Sequence, residues 1–351
     1  MTELTRTARL VLAVIPLWLA VLSVGLMGCG LAAAQPAPAK AAPAKPAVTK
    51  PAPPAKAAAP AAVAAPAAAA KPAATPTAML WEVKGPATDK KLAGMRLWLF
   101  GTMHVGKPEF YPLPAVVEKA FAESSVLAVE ADITNQAAMQ ASAPLMLLTP
   151  PETVEGKLAA PLVERLKSQL ERLGVPYDAV KTLKPFIIAG LLAVSEYGRQ
   201  GFDQHYGVDG HLIGKAVARK IAIVELEGVE QQMKLMAGLS DPDQAAFLEN
   251  SVMTLESGQA GAQMSALVAA WRAGDGPGLE SAALDATKGQ LRSAELEEIL
   301  LHARNGPMQA RVETMLASGK THFVAVGALH VVGKRGIVEG LRAKGFVVTQ
   351  R

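Results

Sequence analysis

The chain has 351 residues, half of them apolar, a formal net charge of +4 and a single cysteine, Cys29. Residues 1–78 contain seven basic residues and one acid, for a charge of +6, whereas residues 79–351 contain 28 basic and 30 acidic residues, for a charge of −2. The basicity therefore belongs to the N-terminal segment, which argues against a nucleic-acid-binding domain, and a single cysteine argues against a disulfide framework.

Residues 1–34 have the features of an export signal. Two arginines precede an 18-residue run without charge, at positions 10–27. Two cleavage sites compete, because the segment ending at Cys29 resembles a bacterial lipobox, whereas the alanines at 32–34 suit ordinary signal peptidase. An uncleaved anchor is the third alternative, since such a run can just span a bilayer. All three predict an exported, periplasmic protein, and two of them add a membrane tether through Cys29 or the apolar run.

The segment 35–78 is predicted to be a disordered linker. Its 44 residues include 22 alanines, 11 prolines and five lysines, with no aromatic residue and no acid. Such a composition has too little to bury to offset the entropy of ordering, and recurrent proline blocks a continuous helix. We expect a semi-rigid spacer without a specific partner. The functional alternative is a tether that holds the following domain away from a membrane or threads it toward the cell wall.

Residues 79–351 are numerous enough for one large domain or two small ones, and six short runs among them are predicted to be strands. Most of these runs are almost wholly apolar, which is typical of strands buried on both faces of a parallel sheet. In chain order the predicted strands are Leu80–Lys84, Arg96–Phe100, Val126–Glu130, Ile221–Glu225, His322–Val326 and Phe346–Thr349.

Nine segments have apolar residues at helical spacing and are predicted to be helices. They are Leu113–Ser124, Leu158–Leu173, Pro185–Tyr197, Asp209–Arg219, Asp241–Ser257, Gly258–Ala273, Ala294–Ala303, Met308–Ser318 and Lys334–Lys344. The chain from 135 to 320 is thus mostly helical, with one strand inside it. We predict an α/β fold with a mostly parallel central sheet that carries a large helical insertion or cap.

Two of the predicted strands end in the same pattern, Gly-x-x-His. The run 96–100 leads into Gly-Thr-Met-His104, and the run 322–326 leads into Gly-Ala-Leu-His330. Functional groups gather at the carboxyl ends of parallel strands, where a glycine allows a sharp turn. Either histidine alone would more often be structural. The repeated pattern favours a shared site, in which two imidazoles bind one metal ion.

A third ligand for such a metal is expected to be a carboxylate or another histidine. Glu130 is the first candidate because it ends a predicted strand at the same sheet edge, and Glu227 is the second because it lies just after another. Asp209 opens a predicted helix and fits a helix N-cap as well. The other histidines, at positions 205, 211, 302 and 322, are predicted to be surface or packing residues.

Arg304 and Asn305 are predicted to close one helix before Pro307 starts another. An arginine at the C-terminus of a helix commonly has only a structural role, because its positive charge interacts favourably with the helix dipole. Its functional interpretation is that Arg304 holds a substrate carboxylate or stabilises an oxyanion.

Six elements in this order resemble the TraB/PrgY/GumN family, which includes the Tiki metalloproteases. They are Leu-Trp-Leu-Phe-Gly-Thr-Met-His104, Val-Leu-Ala-Val-Glu130, Tyr-Gly-Val-Asp209, Leu-Glu227-Gly-Val-Glu-Gln, Arg304-Asn305-x-x-Met and Phe-Val-Ala-Val-Gly-Ala-Leu-His330. The resemblance covers essentially all of 79–351. It implies an α/β fold similar to that of erythromycin-esterase-like and ChaN-like proteins.

The resemblance also implies a hydrolase that depends on a divalent metal, with proteolysis in the animal Tiki members. By the resemblance, His104 and His330 correspond to the two Gly-x-x-His histidines of the family, and Glu130 corresponds to its strand-end acid. Arg304 and Asn305 correspond to its Arg-Asn pair. One departure is Gly228, which stands where the family commonly has threonine after the glutamate.

The leading hypothesis is an exported metal-dependent hydrolase that acts on a peptide or small-molecule substrate. Among hydrolases, a peptidase is the favoured class. His104 and His330 bind Mn²⁺, Co²⁺ or Zn²⁺, and Glu130 is a third ligand or the catalytic base, with Glu227 as a further ligand candidate. Arg304 stabilises the oxyanion, with Asn305 beside it. Two alternatives stay open: a haem- or metal-binding lipoprotein without catalysis, similar to ChaN, and a scaffold that uses no metal.

Overall fold

The computed structural model describes residues 78–86 and 88–351. The predicted signal at 1–34 and almost all of the predicted linker at 35–78 lie outside these residues. Within the described ranges, no helix is both long enough and apolar enough to cross a bilayer.

A six-stranded sheet lies at the centre of the described residues. Its strands are β1 (Leu80–Lys84), β2 (Arg96–Thr102), β3 (Val126–Val129), β4 (Ala222–Glu225), β5 (His322–Gly327) and β6 (Val347–Gln350), and they lie in the order β4-β3-β5-β2-β1-β6. The four strands from β4 to β2 are parallel, while β1 is antiparallel to both its neighbours. The predicted mostly parallel sheet is confirmed.

Helices cover the sheet and extend beyond its carboxyl edge. They are α1 (Ala115–Ala122), α2 (Gln136–Ser142), α3 (Ala160–Arg172), α4 (Pro185–Arg199), α5 (Val208–Arg219), α6 (Val229–Ala237), α7 (Asp241–Glu256), α8 (Ala260–Arg272), α9 (Gly276–Thr287), α10 (Ser293–Glu297), α11 (Ala303–Ala317), α12 (Ala328–Val331) and α13 (Ile337–Ala343). Short 3₁₀ turns join several of them. The expected helical region between 135 and 320, with β4 as its strand, is confirmed.

The predicted break between two helices at Pro307 is wrong. A π turn, Glu298–His302, connects α10 to α11, and Pro307 lies inside α11. A proline usually interrupts a helix because it cannot donate the backbone hydrogen bond. Here it comes five residues into α11, just after a turn that already departs from regular α-helical hydrogen bonding. The consequence is that Arg304 and Asn305 sit on a continuous helix rather than at a helix end.

Strands β2 and β5, which both end in Gly-x-x-His, are neighbours at the centre of the sheet and set the position of the site. Strand β5 pairs with β2 on one side and β3 on the other, so that Thr102 lies opposite Gly327 and Val129 lies opposite Ala325. Every residue of β3 and β5 is buried, in keeping with their apolar sequences. The carboxyl ends of β2, β3 and β5 therefore meet at one edge, as do those of β3 and β4.

Aromatic packing behind this edge holds the strands in place. Phe323 on β5 is fully buried, with ring centroids 5.8 Å from Phe100 and 5.4 Å from Phe121. Rings of this kind carry a large share of the apolar burial of a core, and tilted or edge-on pairs add to it.

Replacement of Phe323 by alanine is expected to lower the free energy of unfolding by about 3–5 kcal/mol, because it removes a fully buried ring and leaves a cavity. Urea denaturation of the full chain measures the loss. Val217→Ala is the control, since Val217 is 61% exposed and its truncation costs little. A loss below about 1 kcal/mol for Phe323→Ala would contradict this packing.

Candidate functional site

The two Gly-x-x-His turns lie side by side, as the repeated pattern predicts for neighbouring strands. Gly101 allows the close approach, because a Cβ there would come within 2.9 Å of Val331 Cγ2 and 3.0 Å of Ala328 Cα. The indole nitrogen of Trp271, on α8, donates to the carbonyl of Gly101 at 2.8 Å and so ties the helical cap to this turn.

His104 is held by a carboxylate from α5. Its Nδ1 lies 2.7 Å from Asp209 Oδ2, and the Thr102 hydroxyl donates to Asp209 Oδ1 at 2.6 Å. The N-cap interpretation of Asp209 is wrong, since Gly207 is the N-cap of α5 and Asp209 lies within the first turn. With Nδ1 bound to Asp209, the free nitrogen of the ring is Nε2.

His330 is held by an amide from α11. Its Nδ1 lies 2.7 Å from Asn305 Oδ1, and Asn305 Nδ2 donates to the backbone carbonyl of Arg335 at 2.9 Å. The second hydrogen bond fixes which end of the amide faces the ring, so His330 must donate from Nδ1. The lone pair of His330 is therefore on Nε2, which lies 3.8 Å from Glu130 Oε1.

Glu130 lies between the two histidines. Its Oε1 accepts from the Gly327 backbone N–H at 2.6 Å, and its Oε2 accepts from Arg304 Nη2 at 2.6 Å and from Gln232 Nε2 at 3.1 Å. Gly327 also leaves a space, because a Cβ there would be 3.1 Å from His104 Nε2 and 3.2 Å from Glu130 Oε1. Both the free nitrogen of His104 and a carboxylate oxygen thus face the same small volume.

Glu227 lies on the other side of Arg304. Arg304 Nη2 donates to Glu227 Oε2 at 2.6 Å, its Nε donates to Glu227 Oε1 at 3.0 Å, and Gln232 Nε2 donates to Glu227 Oε2 at 2.9 Å. The backbone brings the two acids together, since the N–H groups of Glu227 and Gly228 both donate to the carbonyl of Glu130 at 2.9 Å. Gly228 has a φ of 95°, a conformation that favours glycine.

The charges of this cluster do not balance. The side chains of Glu130, Glu227 and Asp209 are 9%, 3% and 12% exposed, and the buried guanidinium among them is that of Arg304. Three ionised carboxylates and one guanidinium leave an excess of two negative charges when both histidines are neutral, and of one when His104 carries a proton. Buried charge of this kind is costly unless it is paired or bound to a cation.

The two histidines respond to this environment in opposite ways. Burial lowers the pKa of His330 to about 3, and the charge of Glu130 opposes this only in part. Burial acts in the same direction on His104, but the charge of Asp209 and the hydrogen bond to it outweigh burial and raise the pKa of His104 to about 9. Burial alone would raise the pKa of Glu130, yet the facing groups His330, Arg304 and His104 lower it to about 2.

The structure brings together the six residues that the sequence predicts for the site, in two layers. Glu130, His104 and His330 face one another, whereas Glu227 contacts Arg304 and Gln232. Asn305 reaches the site through His330. Within the described ranges, no three His, Cys, Asp or Glu side chains are grouped so that they could hold a metal ion. The ligand and catalytic roles given to these residues stay predictions.

Three residues that support the site are not predicted from the sequence: Thr102, Gln232 and Trp271. Thr102 had a visible signal, because the first Gly-x-x-His turn has a hydroxyl residue where the second has Ala328. Gln232 lies on α6 and Trp271 on α8, and nothing in their spacing connects them to the strand ends.

A cavity of about 680 Å³ opens beside this cluster. It is lined on one side by His104, Glu130, Arg304 and His330, and on the other by residues of the helical cap, from α4 and α7 to α10. A cavity of this size, next to converging polar groups, is typical of a small-molecule or side-chain binding site.

Comparison with known proteins extends over almost all of the described residues. The sequence profile of the TraB/PrgY/gumN family matches residues 79–350. The uncharacterized protein YbaP of Escherichia coli strain K12 is 27% identical over 258 residues, which is 73% of this chain and 92% of YbaP, and YbaP of Shigella flexneri gives the same figures. Metalloprotease TIKI1 of Danio rerio is 23% identical over 299 residues, which is 72% of this chain and 60% of TIKI1. No solved structure matches at a comparable level.

The metal-free protein is expected to be most stable near pH 6.5. Below that pH the unfolded chain protonates His330 while the folded chain does not, so acidification to pH 4.5 destabilises by up to about 1.4 kcal/mol per pH unit. The stabilisation from His104 is fully present below its unfolded pKa and is lost as the pH rises through about 9.

Urea denaturation of chelator-treated protein between pH 4.5 and 9 measures both effects. His330→Gln should flatten the acid side and His104→Gln the alkaline side. His205→Gln is the control, because His205 is exposed and outside the site. Unchanged pH dependence in both site variants would contradict the assignment.

Proposed function

The chain belongs to the TraB/PrgY/gumN family, and from this membership we propose that it is an exported metal-dependent hydrolase that cleaves peptide bonds. The similarity to TIKI1, which is named a metalloprotease, supports the reaction class. The chain spans 60% of the length of TIKI1, and we propose that the shared part has the same reaction class.

The excess negative charge of the buried cluster is the observation that carries this proposal. Glu130, Glu227 and Asp209 face one guanidinium, and each histidine offers Nε2 because its Nδ1 is bound to a partner. A divalent cation that displaces the Nε2 proton of His104 would supply the two positive charges that are then missing. Histidine ligands whose second nitrogen bonds a carboxylate or amide are the usual arrangement around a catalytic metal.

The chemistry of the individual donors suits such a cation. His104 Nε2, His330 Nε2 and Glu130 Oε1 are imidazole and carboxylate donors, which suit Zn²⁺, Co²⁺ and Mn²⁺. Gly327 keeps the space between His104 and Glu130 free of a side chain. As described, the site is not a closed set of three ligands, so the proposal has two histidines as the primary ligands and completes the coordination with Glu130 or water.

When bound, the metal would supply Lewis acidity that polarises a carbonyl and lowers the pKa of water. The protein's own groups prepare the site for this chemistry. Glu130 accepts three hydrogen bonds and has a pKa of about 2, so it is a weak base, and we assign it as a ligand and an orienting group. Asn305 and Asp209 set the tautomers of the two histidines.

Arg304 has most of its donors in use. Its Nε and Nη2 contact the two glutamates, and its Nη1 donates to the carbonyl of Leu300 at 2.9 Å. One hydrogen of Nη1 remains for a substrate oxygen. We therefore propose that Arg304 fixes the two acids and contributes a single hydrogen bond, together with its charge, to a developing oxyanion.

Export is the part of the proposal that rests on sequence alone. The signal and linker fall in residues 1–78, of which only Ala78 is described. We propose a periplasmic protein, with tethering to the membrane through Cys29 as one form of it.

His104→Ala and His330→Ala are each expected to abolish metal binding and hydrolysis while the fold persists. Elemental analysis of the full chain, purified without chelator, should fall from about one ion per chain to below about a tenth. Cleavage of a proteome-derived peptide pool, followed by mass spectrometry, reports activity. His205→Ala is the matched control. Full metal content and activity in both site variants would refute the proposal, and metal without hydrolysis in the wild type would support the binding-only alternative.

Asn305→Ala is expected to weaken metal binding by about 10–100-fold, because His330 loses the partner that fixes its tautomer and ring orientation. Asn305→Asp keeps an acceptor for His330 Nδ1 and should retain more of the affinity. Calorimetric titration of chelator-treated protein with Mn²⁺, Co²⁺ and Zn²⁺ measures both variants. Wild-type affinity in Asn305→Ala would show that this hydrogen bond does not support the site.

A further inference from the structure

The cavity beside the cluster is larger than the hydrolysis of a peptide bond requires. It has a volume of about 680 Å³, and residues of the cap form most of its wall. Phe247, Leu255 and Leu267 line it from α7 and α8. An apolar chamber that opens onto a reacting centre usually binds a non-reacting part of the substrate and gives selectivity.

Small side chains keep this chamber open. Ala193 on α4 and Ala283 on α9 both line it, and both are partly buried. In a closely packed interior, a methyl group at such a place leaves room that a larger side chain would fill. The volume is thus a property of specific positions, and a single substitution at one of them can reduce it.

One polar atom of the wall has no partner in the described part of the chain. His302 Nδ1 is buried and makes no hydrogen bond, while His302 Nε2 lies 3.0 Å from Glu297 Oε1. Since Glu297 accepts the Nε2 hydrogen, Nδ1 of the neutral ring is an acceptor without a donor. His302 belongs to the π turn before α11 and lines the same cavity as His330. Buried acceptors are rarely left unpaired, so Nδ1 of His302 has room for a donor from outside the described residues.

We propose that the chamber binds a large apolar side chain of a peptide substrate and that His302 Nδ1 accepts a hydrogen bond from an adjacent peptide N–H. The proposal deepens the proposed function and rests on it for the reaction. The need for a hydrogen-bond donor to His302 Nδ1 favours a peptide, because a peptide has an N–H beside each apolar side chain, whereas a hydrocarbon chain has none. His302 is then a substrate-positioning residue, a role beyond the surface or packing role that the sequence predicts for it.

Binding to the chamber can be measured without catalysis. The probe is N-phenylnaphthylamine, an apolar fluorophore with one N–H, titrated into the full chain after metal removal. Ala193→Phe should weaken its binding by about tenfold or more by filling the chamber, with Ala283→Phe as a second, independent filling variant. Ala269→Phe is the matched control, because Ala269 is exposed on α8 and outside the cavity. Equal affinity in the wild type and both filling variants would overturn the proposal.

Competition and a change at His302 test the ligand class. N-acetyl-dileucine amide should displace the probe, and N-acetyl-dialanine amide should not. Displacement by palmitate but not by the leucine peptide would overturn the proposal in favour of a lipid. His302→Phe keeps an apolar ring without the acceptor and should weaken the leucine peptide more than the probe's purely hydrocarbon analogue, phenylnaphthalene. Equal loss for both would remove His302 from its assigned role.

These measurements separate the two proposals. If the chamber binds as expected but the metal and hydrolysis experiments fail, only the reaction is wrong. If the protein is a metal-dependent peptidase but the chamber variants bind normally, only the substrate assignment is wrong.

Discussion

The buried pair of Glu130 and Arg304 is the interaction on which the rest of the site depends. Glu130 connects strand β3 to three other elements, because its carboxylate contacts Gly327 at the end of β5 and Arg304 on α11, and its carbonyl accepts from two N–H groups after β4. Loss of one partner of such a pair typically costs about 3–5 kcal/mol, since the other charge is left buried. The pair is neutral by itself, so the negative charge that remains in the cluster comes from Glu227 and Asp209, which share Arg304 and His104 as their only cationic partners within the site as described.

The two Gly-x-x-His turns are alike in sequence but not in chemistry. His104 is paired with the carboxylate of Asp209, and His330 is paired with the amide of Asn305. A carboxylate stabilises a positively charged ring, whereas a neutral amide in a buried place does not. One histidine therefore favours the protonated form in the absence of metal and the other favours the neutral form, although both present Nε2 to the same side.

The helical cap joins the cluster to its surroundings in two ways. Trp271 on α8 bonds the carbonyl of Gly101, which connects the cap to the turn that carries His104. The π turn before α11 places His302 on the wall of the cavity and precedes Arg304 and Asn305 by only one residue. π turns occur often at functional sites, where they shift the side chains that follow them. The residues that orient the histidines and those that shape the cavity thus lie on the same stretch of chain.

The sequence by itself determined the parallel strands, their glycine-histidine ends and the helical region between them, because apolar periodicity and turn residues are local properties. It also identified the six predicted site residues, whose motif order is that of the family. The tertiary structure decided which acid meets which cation, so that Glu227 contacts Arg304 and Asp209 holds His104. It also decided that the helix continues through Pro307. These contacts join residues far apart in the chain, 107 positions for Thr102 and Asp209 and 197 for Glu130 and Gly327. No local pattern encodes such pairings, since they arise only when packed strands and helices force buried charges and hydrogen-bonding groups to find partners.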